Sequence, residues 1–349
     1  MKIIDIVIVG AGPAGCKVGE IVARKEYDVL IIEEHPAIGV PTQCTGLVSS
    51  RIGKIPKKLI LNKIKKARFC SKDKFFEVKS KKPVYVIDRK KYDEFRARQA
   101  REAGAEIKLS TKFLDFKNMQ VITSNGNYQT KLLVGADGPN STVARVSGLE
   151  LPDNFLKAAQ VRAKSNFDSN VVELWFGNDI APGLFAWVVP ENEEIARVGL
   201  MTEKNPNEYI EKFSKNRLGN VEITDRIGDF GKYGLIRKSV SNNTLLVGDA
   251  ACQIKPFSMG GIVYGQIGAE YAGKSLIKSL QSNDFSESFL ERNYDKKWKK
   301  DLAGPIRKGL LMKKIFSSAL AGPRLFGLIQ MLGIKRLSSL LDMDFLGKS

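Results

Sequence analysis

Residues 3–33 leave few architectures open to this chain. An apolar run, Ile3-Ile4-Asp5-Ile6-Val7-Ile8-Val9, leads into Gly10-Ala11-Gly12-Pro13-Ala14-Gly15. A helix-like stretch follows, and Val29-Leu30-Ile31-Ile32 then ends at Glu33. A buried strand, a glycine turn, a helix and a second buried strand ending in an acid form the dinucleotide-binding fingerprint in the context it requires. Gly10 permits the tight turn. Gly12 lets backbone N–H groups approach a pyrophosphate at the helix N-terminus, and Gly15 lets the helix lie close on the strand. Glu33 is placed to accept from a ribose diol. A glycine turn alone only turns a chain, but the four parts together at this spacing predict a bound nucleotide.

Two later segments repeat the logic. Thr244 to Val247 reads as a buried strand ending in Gly248-Asp249-Ala250-Ala251, and Ser258-Met259-Gly260-Gly261-Ile262 then opens a helix expected to run to about Leu280. Asp249 at a strand end can accept from a ribityl hydroxyl, and the N–H groups of Gly261 and Ile262 can face a pyrophosphate or a flavin oxygen. The third segment is Leu132 to Gly138, with Asp137 before a turn, followed by Ser141 and Arg145. Each could be only a strand-to-turn transition. Three in this order predict one cofactor site assembled from distant parts of the chain.

The remaining pattern sets the layout. Lys90 to Gly104 reads as a helix ended by glycine, Ala105 to Leu109 as a strand, and Asn125-Gly126 as a hairpin turn. Residues 51–82 are crowded with lysine and read as a small basic insertion. From Ala158 to Met201 the strands lengthen and alternate, with a helix from Pro206 to Lys215. The expected fold is mixed α/β. Segments 1–50, 83–150 and 236–280 form a discontinuous Rossmann-like nucleotide domain, 151–235 an inserted antiparallel β-sheet domain for substrate, and 281–349 a helical, basic C-terminal segment. In that last segment Leu310-Leu311-Met312 and Leu325-Phe326 alternate with Arg307, Lys308, Lys313, Lys314, Lys335 and Arg336.

Composition narrows the function. No segment approaches the roughly 20 apolar residues that span a bilayer, and the first strand starts at Ile3, so neither a membrane helix nor a signal peptide is expected. The four cysteines are scattered without metal-type spacing, and the one histidine, His35, cannot carry a triad or a histidine-rich metal site. Cytoplasmic thiols and no metal are expected. The net charge of +18 points to an anionic partner or to lysines that serve only solubility. Aromatic residues sit in apolar strands rather than among exposed basic ones, which argues against a nucleic-acid-binding protein.

These motifs carry a resemblance. The chain resembles the FAD-dependent oxidoreductases and hydroxylases related to p-hydroxybenzoate hydroxylase, and within them the geranylgeranyl reductase branch. Gly39-Val40-Pro41-Thr42-Gln43-Cys44 is similar to that branch's Gly-x-Pro-x-x-Cys loop. Asp88-Arg89-Lys90-Lys91-Tyr92-Asp93 is similar to its Arg followed by a Tyr-Asp helix. Pro182 to Pro190 is similar to its Pro…Tyr-x-Trp-x-Phe-Pro strand, and Asp249 to Ile262 to its cofactor-closing motif. The resemblance implies FAD contacts at Ala14, Glu33, Cys44, Thr45, Gly46, Arg89, Phe113, Asp249, Gly261 and Ile262. It departs at Phe185, where Tyr is usual, at Val189, where Phe is usual, and at Lys255, where Asp commonly precedes Pro256.

What the resemblance implies is a reductase that saturates geranylgeranyl chains in membrane phospholipid biosynthesis. Reduced flavin supplies hydride, and a proton must reach the other alkene carbon in a dry pocket. Cys44 is either that proton donor or a small packing residue beside the ring. Phe185 and Trp187 share one face of a strand and, with Trp175 nearby, either wall a channel for the isoprenoid or fill a sheet core. Electrons would come from a ferredoxin-like partner or from NAD(P)H. The basic C-terminal segment either caps the nucleotide domain or also meets an anionic membrane surface peripherally. The alternative is an aromatic monooxygenase or halogenase. Halogenases of this fold carry Trp-x-Trp-x-Ile-Pro and a lysine near the site; the strand here lacks the first Trp, while Lys255 keeps that alternative open.

Overall fold

The computed structural model describes residues 2–42, 44–72, 74–317, 344 and 346. Two eight-stranded sheets organise it. In the first, strand Ile3–Val9 is central, and Ile6, Val7 and Ile8 are fully buried. Burial on both faces is what a parallel strand between helical layers requires. Val29–Ile32 and Gly126–Gly135 flank it in parallel, so that Ile8 stands beside both Ile31 and Val134. Glu106–Lys108 extends one side and Thr244–Leu246 the other, both parallel to their neighbours. Because all these strands run the same way, the ends carrying Gly10, Glu33, Ala136 and Gly248 gather at one edge. This is where ligands bind in open α/β sheets.

Helix Pro13–Ala23 packs against helix Ile262–Ser282 and against helix Arg89–Glu102. Asp88 caps the last of these by accepting from Lys91 N, and Gly104 follows its end at φ +107°. The helical stretch beyond the sheet, Glu287–Leu290 and Lys296–Ser317, buries Leu290, Tyr294, Trp298, Leu302 and Ile306 against the same core. Farther along, Leu310, Met312, Ile315 and Phe316 turn to a second core. The apolar clusters expected from Leu325 to Leu341 lie outside the described residues.

The second sheet runs in the order Glu222–Lys232, Phe155–Lys164, Ile195–Thr202, Ala186–Pro190, Val171–Trp175, Ile60–Ser71, Lys74–Ile87, Leu47–Ser49. Residues 60–71 and 74–82, expected within a separate basic insertion, are hydrogen-bonded into this same sheet: Val172 pairs with Ala67 and Leu174 with Phe69. Bulges interrupt that hairpin between Ile60 and Asn62 and between Ile64 and Lys66, which hides its alternation in the sequence. One face of the sheet packs on helix Pro206–Leu218 through Ala186, Val188, Val198, Ile210 and Phe213. The opposite face carries Phe69, Val78, Phe185, Trp187 and Val189.

Candidate functional site

The glycine turn is built to the limit of its space. A Cβ on Gly10, which sits at φ +103°, would lie 2.3 Å from the carbonyl oxygen of Ala136, and one on Gly15 would lie 2.1 Å from that of Gly10. Gly12 N-caps helix Pro13–Ala23 with no side chain covering the helix end, and its Cβ position is open for 4 Å. Helix Ile262–Ser282 begins the same way, capped by Gly261 without a side-chain bond and with no acid in its first turn. A Cβ on Gly261 would meet Asp249 Oδ1 at 2.3 Å. Gly12, Ala14, Gly261 and Ile262 border one cavity of ≈ 670 Å³. Two uncapped helix N-termini thus open onto one space, a setting that favours an anion. The residues present fit a flavin dinucleotide.

Glu33 closes the turn from beside it. Its carboxylate accepts from Ala11 N at 2.9 Å and from His35 N at 3.0 Å, and lies 2.7 Å from His35 Nδ1. Cys44, Thr45, Gly46, Arg89 and Asp249 all line the cavity. Arg89 forms a two-pronged pair with Asp93 at 3.1 Å. Burial works against its charge, yet Cys44 and Asp93 together hold the guanidinium above its ordinary value. Gly46 N also donates to Cys44 Sγ, at 3.3 Å. The other three cysteines are buried, and burial pushes each thiol up to about 12. Cys44 is the cysteine that meets the cavity.

The far wall is apolar and aromatic. Phe185 and Trp187 line it in an edge-to-face pair with centroids 6.4 Å apart, and Phe69, Phe257, Val172, Leu174 and Met201 continue it. Trp187 Nε1 donates to Gln160 Oε1 at 3.1 Å, and the same oxygen accepts from Thr45 Oγ1 at 2.9 Å. Arg197, on strand Ile195–Thr202, donates to Thr45 O at 2.6 Å and to Ile87 O, at the end of strand Lys74–Ile87 in the same sheet, at 3.2 Å.

Gly10, Gly15 and Glu33 lie beside the cavity without lining it, and Trp175, Asp137 and Phe113 stand elsewhere. Trp175 lies on the opposite sheet face, because Val172 and Leu174 already face the cavity and strand parity turns Trp175 away. Its Nε1 donates to Glu173 and its ring packs edge-on against Phe213. Asp137 spends its carboxylate on Ser141 Oγ and Val143 N, holding the start of helix Thr142–Val146, while its neighbours Ala136 and Gly138 border the cavity. Phe113 is buried in the first core at the start of its strand.

Two cavity residues escape sequence reasoning. Gln160 is a lone buried amide in an apolar strand, and that is its only signal. Asp229 lines the cavity from strand Glu222–Lys232. Its carboxyl is pushed up to about 7 by burial and by the charge of Asp249, with Arg89 opposing. Asp249 is open to the cavity yet deep in the protein, and that depth pushes its carboxyl up as well. A carboxyl raised to about 7 in the fold and near 3.9 unfolded binds more protons when folded, so its contribution to stability falls as pH rises through that window. Asp229→Asn removes this loss. The melting temperature of the flavin-free variant, relative to wild type, should rise from pH 5 to pH 8; a constant difference would show that the carboxyl is not raised.

The fold is that of the flavin-dependent oxidoreductases and halogenases. A geranylgeranyl bacteriochlorophyll reductase-like protein of Thermoplasma acidophilum superposes with a TM-score of 0.90 at 24% identity, over 99% of this chain and 95% of that one. A flavin-dependent brominase superposes at 0.77 with 17% identity, over 99% and 92%. Residues 155–229 match the geranylgeranyl reductase catalytic domain. The digeranylgeranylglycerophospholipid reductase of Methanosarcina acetivorans is 31% identical over 90% of this chain and 85% of its own length. Its counterpart in Methanocaldococcus jannaschii is 30% identical over 89% and 86%. The chain belongs to the geranylgeranyl reductase family.

Proposed function

We propose that this protein is an FAD-dependent reductase that saturates C=C bonds in the geranylgeranyl chains of membrane lipid precursors. One observation carries the reading: the two open helix ends, Cys44, Arg89 and the aromatic wall of Trp187 all belong to one cavity. FAD would be held by Gly12, Ala14, Arg89, Asp249, Gly261 and Ile262, and when reduced it supplies hydride to one alkene carbon. Phe69, Phe185, Trp187 and Phe257 exclude water and align an apolar chain. Cys44 Sγ holds the proton for the other carbon. Gly46 N donates to that sulfur and the Arg89 charge acts on it, so the anion left behind is stabilised. The electrons come from a ferredoxin-like partner or from NAD(P)H.

Lys255 does not favour the halogenase reading. It is 3% exposed and paired with Asp344 at 3.0 Å. The outer side of helix Lys296–Ser317 exposes Lys296, Lys297, Lys300, Arg307, Lys308, Leu311 and Lys314, a basic surface suited to anionic lipid. No helix among the described residues is long and apolar enough to cross a membrane.

The test is anaerobic reduction of the flavin with dithionite followed by addition of a digeranylgeranyl glycerophospholipid. A mass gain of two hydrogens per bond is expected. Consumption of NADPH and oxygen with an aromatic substrate, and none with prenyl lipid, would sink the reading. Cys44→Ser should stay yellow while turnover falls by about 10²-fold or more. Unchanged turnover would mean that Cys44 only packs.

A further inference from the structure

Lys255 and Asp344 form a buried ion pair that the cofactor and the prenyl chain leave unexplained. Asp344 is fully buried. Its Oδ1 accepts from Lys255 Nζ at 3.0 Å; its Oδ2 accepts from Ser49 Oγ at 2.5 Å and from Arg51 Nη1 at 3.2 Å. Tyr264 donates its hydroxyl to the Asp344 backbone carbonyl. The donors come from distant parts of the chain. Ser49 ends the edge strand Leu47–Ser49, Arg51 stands in the turn after it, and Lys255 stands in the loop leading to helix Ile262–Ser282. Ser49, Arg51 and Lys255 also line the cavity itself. Two cations and a hydroxyl therefore converge on one carboxylate at the wall of the space assigned to the substrate.

Such a cluster demands an anion at all times. A buried lysine beside an arginine, with no negative partner, would bear the full cost of desolvated charge. The carboxylate now filling the position belongs to a residue 89 positions away from Lys255. A phosphate monoester or diester offers more acceptor oxygens than a carboxylate, and a guanidinium and an ammonium suit it equally well. We propose that Ser49, Arg51 and Lys255 form a phosphate subsite, and that Asp344 occupies it until a phosphate-bearing substrate displaces the carboxylate. This deepens the reductase reading, since it assigns the polar end of the prenyl substrate, and it rests on that reading only for the source of the phosphate.

Calorimetric titration of the flavin-loaded full-length protein tests it, the loaded cofactor ensuring that its own pyrophosphate is not the anion measured. Inorganic phosphate should bind Asp344→Ala at least tenfold more tightly than wild type, and Lys255→Met in that background should abolish the gain. Asp344→Asn, which keeps the side-chain shape, serves if the alanine variant melts before the titration temperature. A second arm compares geranylgeranyl phosphate with geranylgeraniol. Wild type should prefer the phosphate at least tenfold, and Lys255→Met should erase the preference. If the Asp344 variants gain no affinity for phosphate, the subsite is overturned. If they gain it but the prenyl phosphate is not preferred, the assignment to the substrate is overturned. Neither arm requires turnover, so a protein that binds phosphate but reduces no prenyl chain would leave the subsite standing and remove the reductase reading.

Discussion

Gly15→Ala is expected to lose both folded protein and bound flavin. Within helix Pro13–Ala23 an alanine is worth about 1 kcal/mol over glycine, so propensity alone favours the substitution. The added methyl, however, would stand 2.1 Å from the carbonyl oxygen of Gly10 and 3.1 Å from Ala136 Cβ. Overpacking costs about 1–3 kcal/mol where side chains can give way. The obstacle here is backbone of the glycine turn itself, so we expect a net loss of about 2 kcal/mol or more. Parallel urea denaturation of the two proteins measures it. A midpoint at or above that of wild type would mean that helix and strand are farther apart than the structure has them.

Arg89→Met is the second large effect. Arg89 and Asp93 are both largely buried and share a two-pronged pair. Removing the cation leaves the carboxylate desolvated, and breaking a buried pair in this way costs about 3–5 kcal/mol. Burial already pushes the Asp93 carboxyl up, with Arg89 pulling it down. In the variant only the upward push remains. The folded variant therefore binds a proton that the unfolded chain releases, and its deficit relative to wild type should shrink as pH falls from 8 to 5. Arg89→Met/Asp93→Asn should recover most of the loss at pH 8. A deficit independent of pH and not relieved by the second substitution would show that the loss comes from the contact with Cys44 or from packing.

Much of the nucleotide end is legible in the sequence because its parts are local. Gly10, Gly12 and Gly15 announce themselves by spacing, and Asp249 and Gly261 by a strand end followed by a helix start. The substrate end is legible only in part. Phe185 and Trp187 reach the same face because a strand has period two, and the same period carries Trp175 to the other side. Asp137 shows how one local pattern serves two ends: a strand ending in Asp-Gly also suits a carboxylate that holds a helix start. Gln160, Asp229 and Arg197 are brought to the site by pairing between strands far apart in the chain, and nothing adjacent to them in sequence marks that destination. The basic stretch 51–82 hides its strands because bulges break the alternation.

Gln160 joins the two ends in a way that bears on how a long chain would be processed. One side-chain oxygen receives both the hydroxyl beside Cys44 and the indole of Trp187. On the proposed reading, one shared acceptor then sets the separation between the Cys44 loop and the aromatic wall. Isoprenoid double bonds recur at regular intervals. If the Cys44 loop is where the proton is delivered, a set separation would present one of them at each seating, and complete saturation would then require the chain to be advanced by one isoprene unit and seated again. Loosening that separation, by Gln160→Ala for instance, would blur which bond is taken first before it slowed the taking of any of them.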